Sequence, residues 1–270
     1  MPNSPSVRLA AVGDLHCTVH NAASFRPLFQ HAREHADILV LCGDLTDLGL
    51  VEEAQALTRA LAGVGIPMLA VLGNHDYHSG HQEEIRRVLS DAGVQMLNGD
   101  SAEVRGIGFA GVKGFVGGFG RRLLEPWGED TVKLLVREAA EEALKLESAL
   151  ARLRTTHSIV VLHYAPIAGT VEGEPEQIFP FLGSGRLEDP INRHPVTAVF
   201  HGHAHHGRLE GRTSNGTPVY NVSLPLLRAT FGERPPLRIL ELSASPSAPS
   251  VSRVTQVGPA LGPDSRSGAK

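Results

Sequence analysis

Five clusters of polar side chains could bind metal ions, and each follows a short apolar run that predicts a buried strand. Carboxylate, imidazole and amide ligands together suit Zn, Mn, Fe, Co or Ni, and fit neither a thiolate site nor an all-oxygen Mg or Ca site. Chance could supply one or two such strand ends, but five of them favour one shared site. The clusters are Asp14/His16, Asp44, Asn74/His75, His163 and His201/His203.

Each cluster taken alone is a weak signal. Asp14 and His16 would fit a capped turn as well as a partial metal site, although residues two apart in an extended segment point the same way. The tetrapeptide Gly73-Asn74-His75-Asp76 gains weight only because the other clusters share its position after a strand.

The elements before these clusters predict a parallel sheet. Strands at 7–12, 37–42 and 67–72 alternate with helices at 22–35 and 51–61. This order favours parallel strands with right-handed crossovers. Because parallel strands end at one edge of a sheet, the polar clusters are expected to converge there.

The rest of the chain predicts more strands, two hairpins and a long helix. The domain is expected to span 1–242, and the Ser-, Pro- and Gly-rich segment 243–270 is expected to be a poorly ordered tail. The predicted helices are 83–92 and 131–154, the hairpins 101–112 and 208–221, and the strands 94–97, 158–162, 196–200 and 237–242.

The number of candidate ligands predicts more than one ion. Eight ligands or near-ligands lie in the five clusters, too many for one cation. They fit two ions about 3.5–4 Å apart with a bridging carboxylate, an arrangement used for in-line displacement at phosphorus.

The ordered blocks resemble the calcineurin-like metallophosphoesterase superfamily. The resemblance implies an α/β fold, a four-layer α/β/β/α sandwich of two mixed sheets flanked by helices. It also implies a binuclear metal-dependent phosphoesterase in which a metal-bound hydroxide attacks phosphorus. The blocks are Gly13-Asp-Leu-His16, Gly43-Asp-Leu-Thr-Asp47, Gly73-Asn-His-Asp76, His163 and His201-Gly-His203.

The resemblance also implies a role for each residue. Asp44 bridges two divalent or mixed-valence transition metal ions, with Mn, Fe or Zn expected. His75 donates a proton to the leaving oxygen or stabilises the phosphoryl oxygens, and Asp76 orients its ring. The ligands of the first metal are Asp14, His16 and His203, and those of the second are Asn74, His163 and His201.

Composition limits the classes of molecule that the protein is expected to bind and the compartment in which it is expected to act. The net charge of −4 and the lack of a basic run argue against nucleic acid. No apolar run approaches the roughly 20 residues that span a bilayer, and residues 1–6 do not begin a signal peptide. Two cysteines, Cys17 and Cys42, make no disulfide framework, so a cytoplasmic location is expected.

The expected partner is a small phosphorylated substrate, and a phosphodiester is favoured over a monoester or a phosphoprotein. The alternative is a non-catalytic metal-binding module whose partner patch is the segment 115–127. The Gly-rich loop at 113–127 is expected to be a surface loop, with a lid over the site as the other interpretation.

Overall fold

The computed structural model of the protein describes residues 6–243, in which two sheets lie face to face. The first sheet has the order β11-β1-β2-β3-β4. Its first four strands in the chain run parallel, and the last strand pairs antiparallel with the first. The strands are β1 (Ser6–Val12), β2 (Ile38–Cys42), β3 (Met68–Val71), β4 (Val94–Met96) and β11 (Arg238–Ser243).

The second sheet has the order β5-β6-β7-β8-β10-β9. Four neighbouring strands run parallel, and a hairpin strand lies antiparallel at each edge. The strands are β5 (Asp100–Val104), β6 (Ile107–Gly111), β7 (His157–Val161), β8 (Ala198–His201), β9 (Glu210–Arg212) and β10 (Pro218–Asn221).

Helices cover the outer faces of both sheets. On the first sheet α1 contacts β1 and α3 contacts β4, and on the second α4 contacts β5 and β6. The helices are α1 (Arg26–His35), α2 (Val51–Leu61), α3 (Gln82–Asp91), α4 (Asp130–Leu150), α5 (Phe179–Leu182), α6 (Glu188–Arg193) and α7 (Leu224–Phe231).

The apolar core follows the alternation of side chains along each strand. On β7, Ile159 and Val161 belong to the large cluster that also contains the first sheet, whereas Val160 belongs to the cluster beneath α4. Successive side chains of a strand point to opposite faces, so β7 is buried on both. The predicted α/β/β/α sandwich is confirmed.

Some elements differ from expectation. The short helices α6 and α7 were not predicted, and the helix expected at 22–35 begins with a 3-10 turn at Ala22–Phe25. Ser243, expected to open the tail, is the last residue of β11 and pairs with Ser6. The remainder of the predicted tail lies outside the described residues. None of the helices at 6–243 is long and apolar enough to traverse a bilayer.

Candidate metal centre

The polar clusters meet where strands of both sheets end. Asp14, Asp44 and Asn74 follow strands of the first sheet, while His163 and His203 follow β7 and β8 of the second. The site therefore spans the two sheets rather than the edge of one.

The backbone at this site is unusual. Five non-glycine residues at 6–243 have positive φ, and four of them belong to the clusters. Such conformations cost about 1–3 kcal/mol each and persist only where the surroundings impose them. The four are Asp14 (φ 56°), His16 (φ 44°), Asp44 (φ 48°) and His203 (φ 70°).

A first group of possible ligands contains Asp14, His16 and His205, with one ligand atom from each within 4.8 Å of the others. Nε2 of His205 lies 3.0 Å from Oδ1 of Asp14. Both ring nitrogens of His16 are buried, and neither has a hydrogen-bond partner at 6–243. Because an unpaired buried polar atom is costly, a cation beside His16 would satisfy this ring.

A second group contains Asp14, Asp44, His163 and His203. Nε2 of His163 lies 2.8 Å from Oδ1 of Asn74, so the amide belongs to this group as well.

Backbone carbonyls orient the rings of His163 and His203. Nδ1 of His163 donates to the carbonyl of Cys42 at 3.0 Å, and Nε2 of His203 donates to that of Phe181 at 3.1 Å. Each ring therefore keeps its other nitrogen available as a ligand, which is the usual arrangement around a bound metal.

Asp44 lies between the two groups. Its Oδ2 is 3.8 Å from Nε2 of His16, and its Oδ1 is 3.4 Å from Nε2 of His163. A carboxylate whose oxygens face two sets of ligands can bridge two cations. Burial, together with the charges of Asp14 and Asp76, raises the pKa of Asp44 to about 9. Cations on either side would favour its ionised form.

Three of the histidines are in the form that binds metals. Burial lowers the pKa of His16, His163 and His203 and so favours neutral imidazole, the ligand form. Burial would raise the pKa of Asp14, but the hydrogen bond from His205 and nearby histidine charges lower it to about 2. These donors fit a pair of transition metal ions with Asp44 between them.

His201 does not join this site. Its Nε2 contacts Oγ1 of Thr170 at 2.8 Å, its Nδ1 contacts the carbonyl of Gly202 at 2.7 Å, and it is in neither group. It is still part of β8, paired with Asn221. The structure instead places His205 beside Asp14 and His16, and it places His203 with Asp44 and His163.

His75 is oriented differently from the expectation. Its Nδ1 donates to the carbonyl of Asp47 at 2.7 Å, and its backbone N–H donates to Oδ1 of Asp44 at 2.8 Å. One nitrogen of its ring lies in a group with His16 and Asp44, so His75 faces the site. The residue that fixes its ring is Asp47.

Asp76 does not orient His75. Its buried carboxylate accepts hydrogen bonds from the backbone N–H groups of Gly73, Leu45 and Thr46 and from the Thr46 hydroxyl, at 2.6–3.2 Å. Asp76 therefore joins the turns after β2 and β3, a structural role that the sequence did not reveal.

Gly73 and Gly202 lie so close to carboxylates of the site that no side chain fits at either position. A Cβ on Gly73 would lie 2.1 Å from Oδ1 of Asp44, and one on Gly202 would lie 2.3 Å from Oδ2 of Asp14. Any side chain at either position would displace a carboxylate of the site.

Hydrogen bonds support the segment that carries His203 and His205. Nδ2 of Asn221 and Oγ of Ser223 both donate to the carbonyl of Ala204, at 2.7 and 3.3 Å. Ala204 separates His203 from His205, so these contacts fix the backbone between the two histidines. The cysteines are buried core residues, and burial raises the pKa of Cys17 to about 12.

Comparison with known proteins gives one family and several similar structures. The family model described as calcineurin-like phosphoesterase matches residues 7–207. No curated protein matches the chain.

The similar structures share the fold at low identity. A phosphopantetheinyl hydrolase from Mycobacterium tuberculosis superposes with a TM-score of 0.60 at 15% identity, covering 86% of this chain and 95% of that one. A putative 5'-nucleotidase from Staphylococcus aureus gives 0.53 at 14%, covering 80% of this chain and 48% of that one. Plasmodium GAP50, described as an anchor in the inner membrane complex, gives 0.51 at 13%, covering 82% and 72%.

Proposed function

Because the chain belongs to the calcineurin-like phosphoesterase family, we propose that it is a binuclear metal-dependent hydrolase of phosphate esters. One observation carries the proposal: the buried Asp44 carboxylate lies between the two groups, with Oδ2 3.8 Å from Nε2 of His16 and Oδ1 3.4 Å from Nε2 of His163. The ligands that we assign to the first ion are Asp14, His16, Asp44 and His205, and those to the second are Asp44, Asn74, His163 and His203.

Two such cations, when bound, lower the pKa of a water molecule and neutralise the charge of the phosphoryl group. The protein's own contribution is to hold the ligands and to handle the leaving group. Since Nδ1 of His75 donates to the Asp47 carbonyl, its Nε2 is the atom that faces the substrate. We propose that this nitrogen donates a proton to the leaving oxygen.

For the substrate, we favour a small phosphodiester over a monoester or a phosphoprotein. Three of the proposed ligands are buried, since Asp14, Asp44 and His163 are each no more than 1% exposed. A small ester reaches such a site more readily than a folded phosphoprotein does.

The test uses purified protein loaded with Mn²⁺, with bis-p-nitrophenyl phosphate and p-nitrophenyl phosphate as substrates. Asp44→Ala and Asn74→Ala should each abolish hydrolysis, while the exposed control variants Asp130→Ala and Asn215→Ala should retain it. Activity that survives both site substitutions and removal of metal by EDTA would overturn the proposal. The ratio of initial rates on the two esters tests the preference for a diester.

The second candidate is a non-catalytic metal-binding module, in line with the anchor described for the similar Plasmodium protein. Trp127, in the segment 115–127, is 68% exposed and offers a contact surface for a partner. Full metal occupancy with no turnover on phosphodiesters, nucleotide monoesters and phosphopeptides would favour this candidate over the enzyme.

A further inference from the structure

A cavity of about 460 Å³ lies next to the metal centre. The ligand Asn74 forms part of its wall, so a group in the cavity would lie beside the second set of ligands. Its size is within the range of pockets for small molecules, roughly 300–1,000 Å³. The other walls include the aromatic residues Tyr77, Phe115 and Tyr164, together with Leu134 of α4 and Lys113.

Lys113 is the polar centre of this cavity. The residue is only 8% exposed, and its Nζ donates to the carbonyl of Gly114 at 2.9 Å. Nζ lies 4.6 Å from the ring centre of Phe115, 5.2 Å from that of Tyr164 and 5.4 Å from that of Tyr77. A lysine enclosed by rings, with further N–H donors to offer, is suited to bind an acceptor that enters between them.

The charges of the cavity are balanced. Glu142, only 2% exposed, accepts from the N–H of Gly114 at 2.8 Å and from Nζ of Lys145 at 2.7 Å. Glu138 adds a second carboxylate opposite the two lysines, so the lining carries two positive and two negative charges. The lining as a whole therefore has no net charge with which to attract a strongly charged group.

We propose that this cavity, the leaving-group pocket, binds the alcohol portion of the phosphoester and selects an uncharged group with a flat apolar face. The face stacks on Phe115 and packs against Leu134, and a carbonyl or ring nitrogen accepts from Lys113. A nucleoside has this chemistry. The inference rests on the proposed function, since it places the phosphoryl group at the metal ligands and the alcohol in the pocket.

The test measures binding without catalysis. Metal-free protein is titrated by calorimetry with adenosine and, separately, with pantetheine, a flexible uncharged alcohol of aliphatic amides. Adenosine should bind more tightly than pantetheine. Phe115→Ala should weaken adenosine binding about tenfold or more, since it removes a stacked aromatic ring. Lys113→Met should weaken it through the loss of the donor.

Matched controls come from nearby residues that do not line the pocket. Trp127→Ala removes an exposed aromatic ring from the same segment as Phe115, and Lys133→Met removes an exposed ammonium group of α4. Both variants should bind adenosine as the unaltered protein does. Because Lys113 is buried, its variant is used only if its thermal unfolding midpoint is retained, and Phe115→Ala tests the pocket independently.

Three results would overturn the inference. Tighter binding of pantetheine than of adenosine would contradict the flat-group selectivity, and adenosine binding unchanged in Phe115→Ala would contradict the location. Hydrolysis of p-nitrophenyl esters by the Mn²⁺-loaded protein is measured on the same preparations. If the unaltered protein hydrolyses the esters but does not bind adenosine, this inference alone is overturned, whereas adenosine binding without hydrolysis overturns the proposed function.

Discussion

His205 and His201 differ in their surroundings although only three residues separate them. His205 faces Asp14 across 3.0 Å, whereas both ring nitrogens of His201 contact groups outside the ligand clusters. Because β8 ends at His201 and the backbone at His203 is left-handed, the alternation of side chains along the strand does not extend to His203 and His205.

We expect His205→Ala to reduce bound Mn²⁺ from about two ions per chain to about one, because the first ion loses a ligand. His201→Asn should retain both ions. The measurement is metal content after desalting, determined by mass spectrometry. The reverse outcome, with loss in the His201 variant and retention in the His205 variant, would restore the ligand set expected from the sequence.

Substitution of Gly73 tests how closely the backbone must approach Asp44. We expect Gly73→Ala to lower the affinity for Mn²⁺ by about tenfold or more, because the added Cβ would lie 2.1 Å from Oδ1 of Asp44. Gly169→Ala is the matched control, since its Cβ would meet only Cδ1 of Ile167 at 3.8 Å. Equal affinities in both variants, measured by calorimetry, would show that Asp44 does not need this space.

At the scale of elements, the two sheets are joined by side chains such as Phe109 of β6, which is fully buried in the cluster shared with the first sheet. We expect Phe109→Ala to lower the free energy of unfolding by about 3–5 kcal/mol through the cavity it leaves. Phe181→Ala, at a residue that is 59% exposed, should change it by less than about 0.5 kcal/mol. Urea unfolding measures both, and similar losses would contradict a core between the sheets.

The regular elements were predictable because their patterns are strong. The helix Val51–Leu61 has the predicted bounds, and the strands before each cluster lie within two residues of expectation. Helices α6 and α7 were missed because they are short and each has a proline near its start, at Pro190 and Pro225.

The site was predictable in its ligand types but not in every contact. Asp14, Asp44 and His163 directly follow apolar runs, and their positions could be read from that context. The partner of His75 is a backbone carbonyl, and the partners of Asp76 are backbone N–H groups of another turn. Such contacts depend on how two turns meet in space, which no local pattern records.

For the molecule as a whole, the buried Asp44 couples stability to pH. Its pKa is raised from 3.8 to about 9, so the metal-free fold favours the protonated carboxyl and loses stability as pH rises through this range. The histidines with lowered pKa oppose this effect only below about pH 7, where the unfolded chain binds their protons.

We therefore expect the thermal midpoint of the metal-free protein to fall between pH 7 and pH 9 relative to that of Asp44→Asn. The loss can reach at most about 1.4 kcal/mol per pH unit, because one proton is involved. With saturating Mn²⁺, the thermal midpoint of the unaltered protein should no longer fall more steeply with pH than that of Asp44→Asn. Parallel curves for the two metal-free proteins would contradict the raised pKa of Asp44.

The placement of ligands on both sheets has a consequence for biosynthesis. A growing chain that has emerged only as far as β7 already carries Asp14, Asp44 and Asn74, yet it lacks the histidines that follow β8. Full coordination therefore has to wait until the second sheet has closed over the first. Under the ligand assignment proposed above, binding of both cations would follow the folding of both sheets rather than precede it.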